Sequence, residues 1–318
     1  MHPSPSIVVA RAAPDPLQSR LALVTVITPA AGVVAAIVLA WGRGIGPVEL
    51  GILIGMCALG VLGVEVGFHR HFSHRAFQAH PAVRVVLAVL GSMAAQGPVL
   101  FWAATHRRHH AFSDRPGDPH TPHDGGEGFL ALLRGLWHAH VGWLFQGDVT
   151  DLGAYAPDLL RDRLVFRLNQ LYFLWLLMGL VVPAALGGLL SRSWKGCLLG
   201  FLWGGLVRTF VVHHATWSVN SLCHVFGSRP FDTLDRSTNL VWLVPTSLGG
   251  SWHNNHHAFP STASNSFRWW QIDPSGWVIR SLQAAGLAWD ARVPAQPSQR
   301  ERGARSANGD QPEEAGSR

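Results

Sequence analysis

Three histidine clusters carry most of the chemistry that this chain can offer. They are His69, His71 and His74 in HRHFSH, His106, His109 and His110 in HRRHH, and His253, His256 and His257 in HNNHH. Neutral imidazole is a borderline ligand that suits zinc, copper, iron and nickel. Two of the clusters repeat the spacing H-x-x-H-H. Residues three and four apart share a helix face, so each cluster is expected to aim its imidazoles at one point. His69 and His74 are five apart, which suits ligands straddling a helix end. A tetrahedral zinc takes four ligands, so nine or more imidazoles point to two metals at a shared centre. Soluble carboxylate di-iron sites use Glu-x-x-His pairs on their helices. No such pair accompanies these clusters. The expected site is therefore histidine-rich, with few or no carboxylate ligands.

Elements of the right kind must hold these residues. Hydrophobic residues make up 48% of the 318 and charged residues only 14%, which favours one membrane-embedded unit over two soluble domains. Lysine occurs once, at Lys195, so the basic residues are nearly all arginine. Codon bias explains this, and arginines facing phospholipid headgroups are compatible with it. Nucleic acid is not an expected partner. Cys57, Cys197 and Cys223 form no CxxC pair, so neither a disulfide framework nor a thiolate zinc site is indicated.

The apolar runs set the topology. Residues 21–41 and 50–68 have the length of spanning helices and are joined by a turn containing Arg43, Gly44 and Pro47. Residues 168–190 and 196–212 form a second such pair around a turn containing Arg192 and Lys195. Residues 82–102 are also apolar but contain Gly91, Gly97 and Pro98. They separate two clusters that should share a side, so they read as re-entrant or interfacial. Four crossings then place the N-terminus, the arginine-rich central loop and the C-terminal third on one side, which the positive-inside rule makes cytoplasmic. The fold class is an all-α membrane protein: four transmembrane helices and a cytoplasmic helical cap holding the histidines. Residues 1–20 read as a polar N-terminal segment, 21–293 as the membrane and cap domain, and 294–318 as a disordered tail. Trp269 and Trp270 beside Arg268 read as an interfacial anchor, and residues 274–289 as an amphipathic surface helix.

Iron at the edge of a bilayer suggests oxygen activation against an apolar substrate, because an unactivated methylene offers no acidic proton. HRHFSH, HRRHH and HNNHH followed by Ala-Phe-Pro resemble the motifs of the membrane-bound fatty-acid desaturase family, in its delta-nine acyl branch of bacterial type. FSDRPGDPH, HVGW, NSLCH and WWQIDPSGW also resemble family stretches, and the similarity covers about residues 50–289. The resemblance implies a di-iron site, dioxygen as co-substrate and a cis double bond placed in a saturated acyl chain. It implies iron ligands at His69, His74, His106, His109, His110, His224, His253, His256 and His257, with Asn220 reaching a metal through water. It implies that Gln96, Trp102, Thr216 and Trp217 line a bent acyl tunnel.

Departures from the family refine this expectation. Ala104 and Thr105 stand where animal acyl-CoA enzymes carry a charged pair used on coenzyme A, and Gly147 and Asp148 stand where they carry basic residues. A chain linked to a lipid or carrier protein is therefore expected alongside one linked to CoA. Gly250 and Ser251 replace an acidic residue common just before the third cluster, whereas Glu65 precedes His69 by one turn. Glu65 is expected to accept a hydrogen bond from His69. His71 is not expected to touch metal, and His213 and His214 are expected at a helix end. His80, His120, His123, His138 and His140 are expected in loops or behind the ligands, and Asp114 and Asp118 in turns. Arg208, inside an apolar run, is expected to snorkel, pair, or meet a headgroup or donor protein. The chain has too few cysteines for a Cys-ligated iron–sulfur cluster, so the electron donor is expected to be a separate ferredoxin- or cytochrome-type protein. A hydroxylase on the same scaffold, a membrane metal transporter and a haem protein are the competing readings.

Overall fold

The computed structural model describes residues 8–10, 15–42 and 44–294. Arg43 and nearly all of the expected C-terminal tail lie outside the described residues. Helices make up most of the structure. Four are long and apolar enough to cross a membrane: α1 (Pro16–Ala40), α2 (Pro47–Ser73), α9 (Tyr172–Ser191) and α10 (Trp194–Leu222). Between α2 and α9 lie α3 (Pro81–Met93), α4 (Val99–Phe112), α5 (Phe129–His140) and three short helices, α6 (Leu152–Tyr155), α7 (Pro157–Arg161) and α8 (Arg163–Gln170). After α10 come α11 (Val244–Ser247), α12 (His253–Ala258) and α13 (Pro274–Ala284). Two short antiparallel pairs tie the cap: β1 (Val8–Ala10) with β3 (Asp148–Thr150), and β2 (Gln78–Ala79) with β4 (Ala288–Trp289).

α1 starts at Pro16, ahead of the apolar run, because Asp15 caps it through Leu17 N–H. α2 and α10, at 27 and 29 residues, outrun the roughly 20 residues that a bilayer needs. Their extra turns enter the cap and carry histidines. α3, with 13 residues, is about 20 Å long and too short to cross. The chain breaks at residues 94–98, where Ala95 and Gly97 adopt positive φ, and restarts as α4. The break keeps the first two histidine clusters on one side. α9 and α10 approach closely through Gly187, Gly196 and Gly200, small residues that let two helix backbones meet. The surface helix expected over 274–289 ends at Ala284, and Ala288 and Trp289 form β4 instead.

The cap core is Phe68, Phe72, Phe77, Leu87, Leu100, Val165 and Ile279. Arginines from the motifs lock this core rather than facing headgroups. Arg70 is 1% exposed and makes a two-pronged ion pair with Asp273 at 2.9 and 2.8 Å. Arg107 holds Asp158 and the carbonyls of Phe72, Ser73 and Tyr155. Arg208 is buried within α10 and donates to the carbonyls of Gly204, Met93 and Gly179. It therefore pins the C-terminus of α3 to α9 and α10, and its burial leaves no access to a headgroup or a donor protein.

Candidate metal centre

The last 11 residues of α2, Gly63–Ser73, form a π-helix. This changes what a spacing of five means. His74 N–H donates to the His69 carbonyl at 3.1 Å, the i→i+5 bond of a π-helix, so the two residues stack on one face. Their rings lie 5.0 Å apart between centroids. The expectation of a helix end is thus half met: His74 is the cap, but the winding aligns the pair.

The nine histidines expected as ligands converge on two points, and His109 also meets Asp118 and His120 in a third, smaller group. His69, His74, His106, His110 and His256 form one group, and His109, His224, His253 and His257 another, with ligand atoms within 4.8 Å of one another in each group. The H-x-x-H-H clusters therefore do not each aim at one point. α4 sends His106 and His110 to the first group and His109 to the second. α12 sends His256 to the first, and His253 and His257 to the second. Adjacent helical residues are about 100° apart, so His109 and His110 cannot share a target. All nine histidines expected as ligands lie in these groups. His71 lies in neither; its Nδ1 meets the Phe77 carbonyl at 3.2 Å.

Carboxylates stand behind the imidazoles. His69 Nδ1–H donates to Glu65 at 3.1 Å, His109 to Asp118 at 2.9 Å, His224 to Asp114 at 2.8 Å and His257 to Asp235 at 2.8 Å. The Glu65 carboxylate fills the space beside Gly250, where a Cβ would overlap it. A carboxylate on α2 thus occupies room left by the missing side chain upstream of the third cluster. Asp114 and Asp118 are more than turn residues, and Asp235 escaped sequence reasoning altogether. Asp114 and Asp118 sit in FSDRPGDPH, and acidic residues in a chain so poor in charge were the available signal.

These bonds decide whether the site fits a metal. An imidazole that donates from Nδ1 presents a bare lone pair at Nε2. His224 and His257 both do so, and each Nε2 lies 3.0 Å from His253 Nε2. His109 Nε2 is buried without any hydrogen-bond partner. In the first group, Nε2 atoms lie 3.0 Å apart for His69 and His256, 2.7 Å for His74 and His106, and 2.9 Å for His256 and His110. Ligand nitrogens about 2.0–2.1 Å from one cation are about 3 Å apart at right angles. Converging lone pairs repel unless a cation lies between them, so the donor set fits a metal in each group.

Burial, then the neighbouring imidazoles, hold His74, His106, His110, His253 and His256 well below the usual histidine range. Burial pushes His257 down to about 4 despite Asp235. His109 is the exception: burial opposes its charge, but Asp118, Asp114 and Asp235 raise it overall. Asp114, although buried, is held down at about 2 by His224 and the Arg236 N–H. Neutral imidazoles and ionised carboxylates are the forms that metal binding requires.

An apolar cavity of about 610 Å³ abuts the first group, and His106 lines it. Gln96, Trp102, Thr216, Trp217 and Asn220 line it too, together with Leu21 and Val24 of α1 and Phe173 and Leu176 of α9. Gln96 Nε2 donates to Thr216 Oγ1 at 2.7 Å, and Trp102 Nε1 donates to Gln96 Oε1 at 3.2 Å. His213 and His214 lie within α10, not at its end. His213 meets the Ala94 and Ala95 carbonyls at 3.1 and 2.9 Å, and His214 meets His140 at 2.9 Å.

The profile of a family described as fatty acid desaturase matches residues 44–291. The hex-5-enoyl-[acyl-carrier protein] acetylenase of Moorena producens (strain JHB) is 47% identical over 280 residues, 87% of each chain. The delta-9 acyl-lipid desaturase 1 of Arabidopsis thaliana is 38% identical over 76% of this chain and 74% of its own. The sn-1 stearoyl-lipid 9-desaturase of Anabaena variabilis is 37% identical over 74% of this chain and 80% of its own.

Proposed function

This chain belongs to the fatty acid desaturase family, and we propose that it places a cis double bond at carbon nine of a saturated acyl chain. One observation carries this reading: His106 belongs to the five-histidine group and also lines the apolar cavity. The reaction removes two hydrogens from adjacent methylenes. Dioxygen takes them up with two further electrons and two protons, giving two waters. Two irons fit the donor set, one held by His69, His74, His106, His110 and His256, the other by His109, His224, His253 and His257, with Asn220 acting through water. When bound, iron supplies an oxidant derived from dioxygen that is strong enough for an unactivated methylene.

The residues of the chain do the rest. Glu65, Asp114, Asp118 and Asp235 orient the imidazoles and fix the tautomer that faces the metal. Gln96, Trp102 and Thr216 bridge the cavity and bend the substrate, which favours a cis product. The Leu21, Val24, Phe173 and Leu176 walls exclude water. The cap faces the cytoplasm in this reading, because its side carries Arg70, Arg75, Arg84, Arg107 and Arg108, against Arg192 at the end of α9 and Lys195 in the first turn of α10 opposite. Two electrons come from a separate ferredoxin- or cytochrome-type donor. The histidines sit past or near the ends of the spans, which does not suit a transporter with ligands at mid-membrane.

The 47% identity to an acetylenase named for a carrier-linked enoyl chain favours a second reading, in which the substrate is carrier-linked and already unsaturated. Expression in a desaturase-deficient host, with double-bond position read in each lipid and carrier pool, separates the two. A new alkene at carbon nine of lipid chains is the expected result. An alcohol would make the protein a hydroxylase, and an alkyne on a carrier-linked chain would favour the second reading.

A further inference from the structure

The third cluster, HNNHH, contains two asparagines that belong to neither histidine group. Asn254 and Asn255 are 0% and 1% exposed, so their amides need partners inside the protein. Asn255 Nδ2 donates within the cap, to the Asn265 carbonyl at 2.8 Å and to Gln271 Oε1 at 3.2 Å. Asn254 instead clasps residues 228–239. Its Oδ1 accepts from Phe231 N–H at 2.9 Å, and its Nδ2 donates to the Phe231 carbonyl at 3.1 Å and to Thr233 Oγ1 at 3.3 Å.

Residues 228–239 form a closed loop. Ser228 and Asn239 exchange two backbone hydrogen bonds, at 3.0 and 2.7 Å, so its ends meet. Asn239 Oδ1 accepts from the N–H groups of Asn254 and Asn255 at 3.0 and 3.2 Å, which fastens the base of the loop to the first turn of α12. On its exposed side, Arg229 donates to the carbonyls of Ser237, Asp235 and Thr233 at 2.8, 2.7 and 3.3 Å. The loop so shaped presents two groups. Thr233 Oγ1, Ser237 Oγ and Ser237 N–H all donate to Asp235 Oδ1. A hydroxyl has one proton to give, and the amide of Asn254 donating to Thr233 Oγ1 leaves that proton for Asp235. Asp235 Oδ2 then accepts from His257 at 2.8 Å. The next residue, Arg236, donates its backbone N–H to Asp114 Oδ2 at 2.7 Å, and the same oxygen accepts from His224 at 2.8 Å. Two consecutive residues thus stand behind two of the four histidines of the second group. Among the described residues the loop makes no hydrogen bond to a histidine of the first group, whose carboxylate, Glu65, lies on α2.

We propose that residues 228–239 are a mount for the second metal alone, and that Asn254 and Arg229 are the positioning residues that shape it, one from within and one from outside. This rests on the reading of the two histidine groups as metal sites. Neither side chain bonds a histidine. Each acts by holding the loop where Asp235 and the Arg236 N–H meet their targets. Releasing the loop loosens His257 and His224 together and leaves His69, His74, His106, His110 and His256 as they are. The two metals are therefore retained by separate parts of the chain, the first through α2 and the second through this loop.

Metal retention tests this without turnover. The iron-loaded protein in detergent is challenged with a chelator, and the iron left on each chain is followed with time. The wild type is expected to start with two irons. In Asn254→Ala and in Arg229→Met, one equivalent is expected to leave about tenfold faster than from the wild type, while the other follows the wild-type course. A general loss of structure would speed both equivalents alike, so that outcome in both variants overturns the proposal, as does release unchanged from the wild type. Should Asn254→Ala fail to fold, Arg229→Met, which alters only the exposed side of the loop, decides. A wild type that holds fewer than two irons overturns the two-metal reading and the proposal with it. A wild type that holds two, with variants that release them together, overturns the proposal alone.

Discussion

Glu65 shows how much one side chain behind a ligand controls. Its carboxylate fixes the proton of His69 on Nδ1 and so turns Nε2 toward the first group. Glu65→Gln keeps the shape but removes the charge. Outer partners of this kind are worth about 10–100-fold in metal affinity. Iron should leave the variant about tenfold faster under a chelator, as read by iron content against time. Unchanged retention and activity would show Glu65 to be idle. Asp235→Asn should act in the same way on the second group through His257. Glu65 was legible in the sequence because it sits one turn from its histidine. Asp235 was not, because it lies 22 positions before His257, with turns and the short helix α11 between them, and no periodicity connects them.

At the scale of elements, helix length and helix winding position the site. The four spans were readable as apolar runs, and the ends expected at 41 and 190 fall within a residue of Ala40 and Ser191, but the extensions of α2 to Ser73 and of α10 to Leu222 were not readable. Polar histidines end an apolar run in a sequence, whereas the helix continues because the cap satisfies its side chains. The π-helix was equally hidden, since no residue type marks an i→i+5 register. The close approach of α9 and α10 gives a test. Gly187→Val would drive a side chain into the Gly196 carbonyl and Gly200. Overpacking of this kind costs about 1–3 kcal/mol and should lower the melting temperature of the protein in detergent. Gly51→Ala, where nothing lies within 4 Å, should leave the melt unchanged or raise it slightly. Equal melting of the two variants would mean that the hairpin does not depend on that contact.

Over the whole molecule, many imidazoles are buried in neutral form, and this links folding to pH. His74, His106, His110, His253 and His256 bind protons less readily when folded than when unfolded, and His257 is pushed down to about 4 from 6.5. The unfolded chain therefore takes up more protons as pH falls below 6.5, and stability falls with it. His109 works against this trend, being raised. The metal-free protein should lose melting temperature steadily from pH 7 toward pH 4, and iron loading should offset the loss near neutrality. A flat profile for the metal-free protein would show that the histidines are not packed together without metal. By itself, the sequence determined the donor atoms, their approximate number and the apolar lengths that must lie in a membrane, because these follow from residue type and local spacing. Only the tertiary structure decided that nine imidazoles divide into five and four, with each H-x-x-H-H cluster split between both groups. That division depends on where helices from distant parts of the chain cross, and on aspartates as remote as Asp114 from His224, 110 residues away.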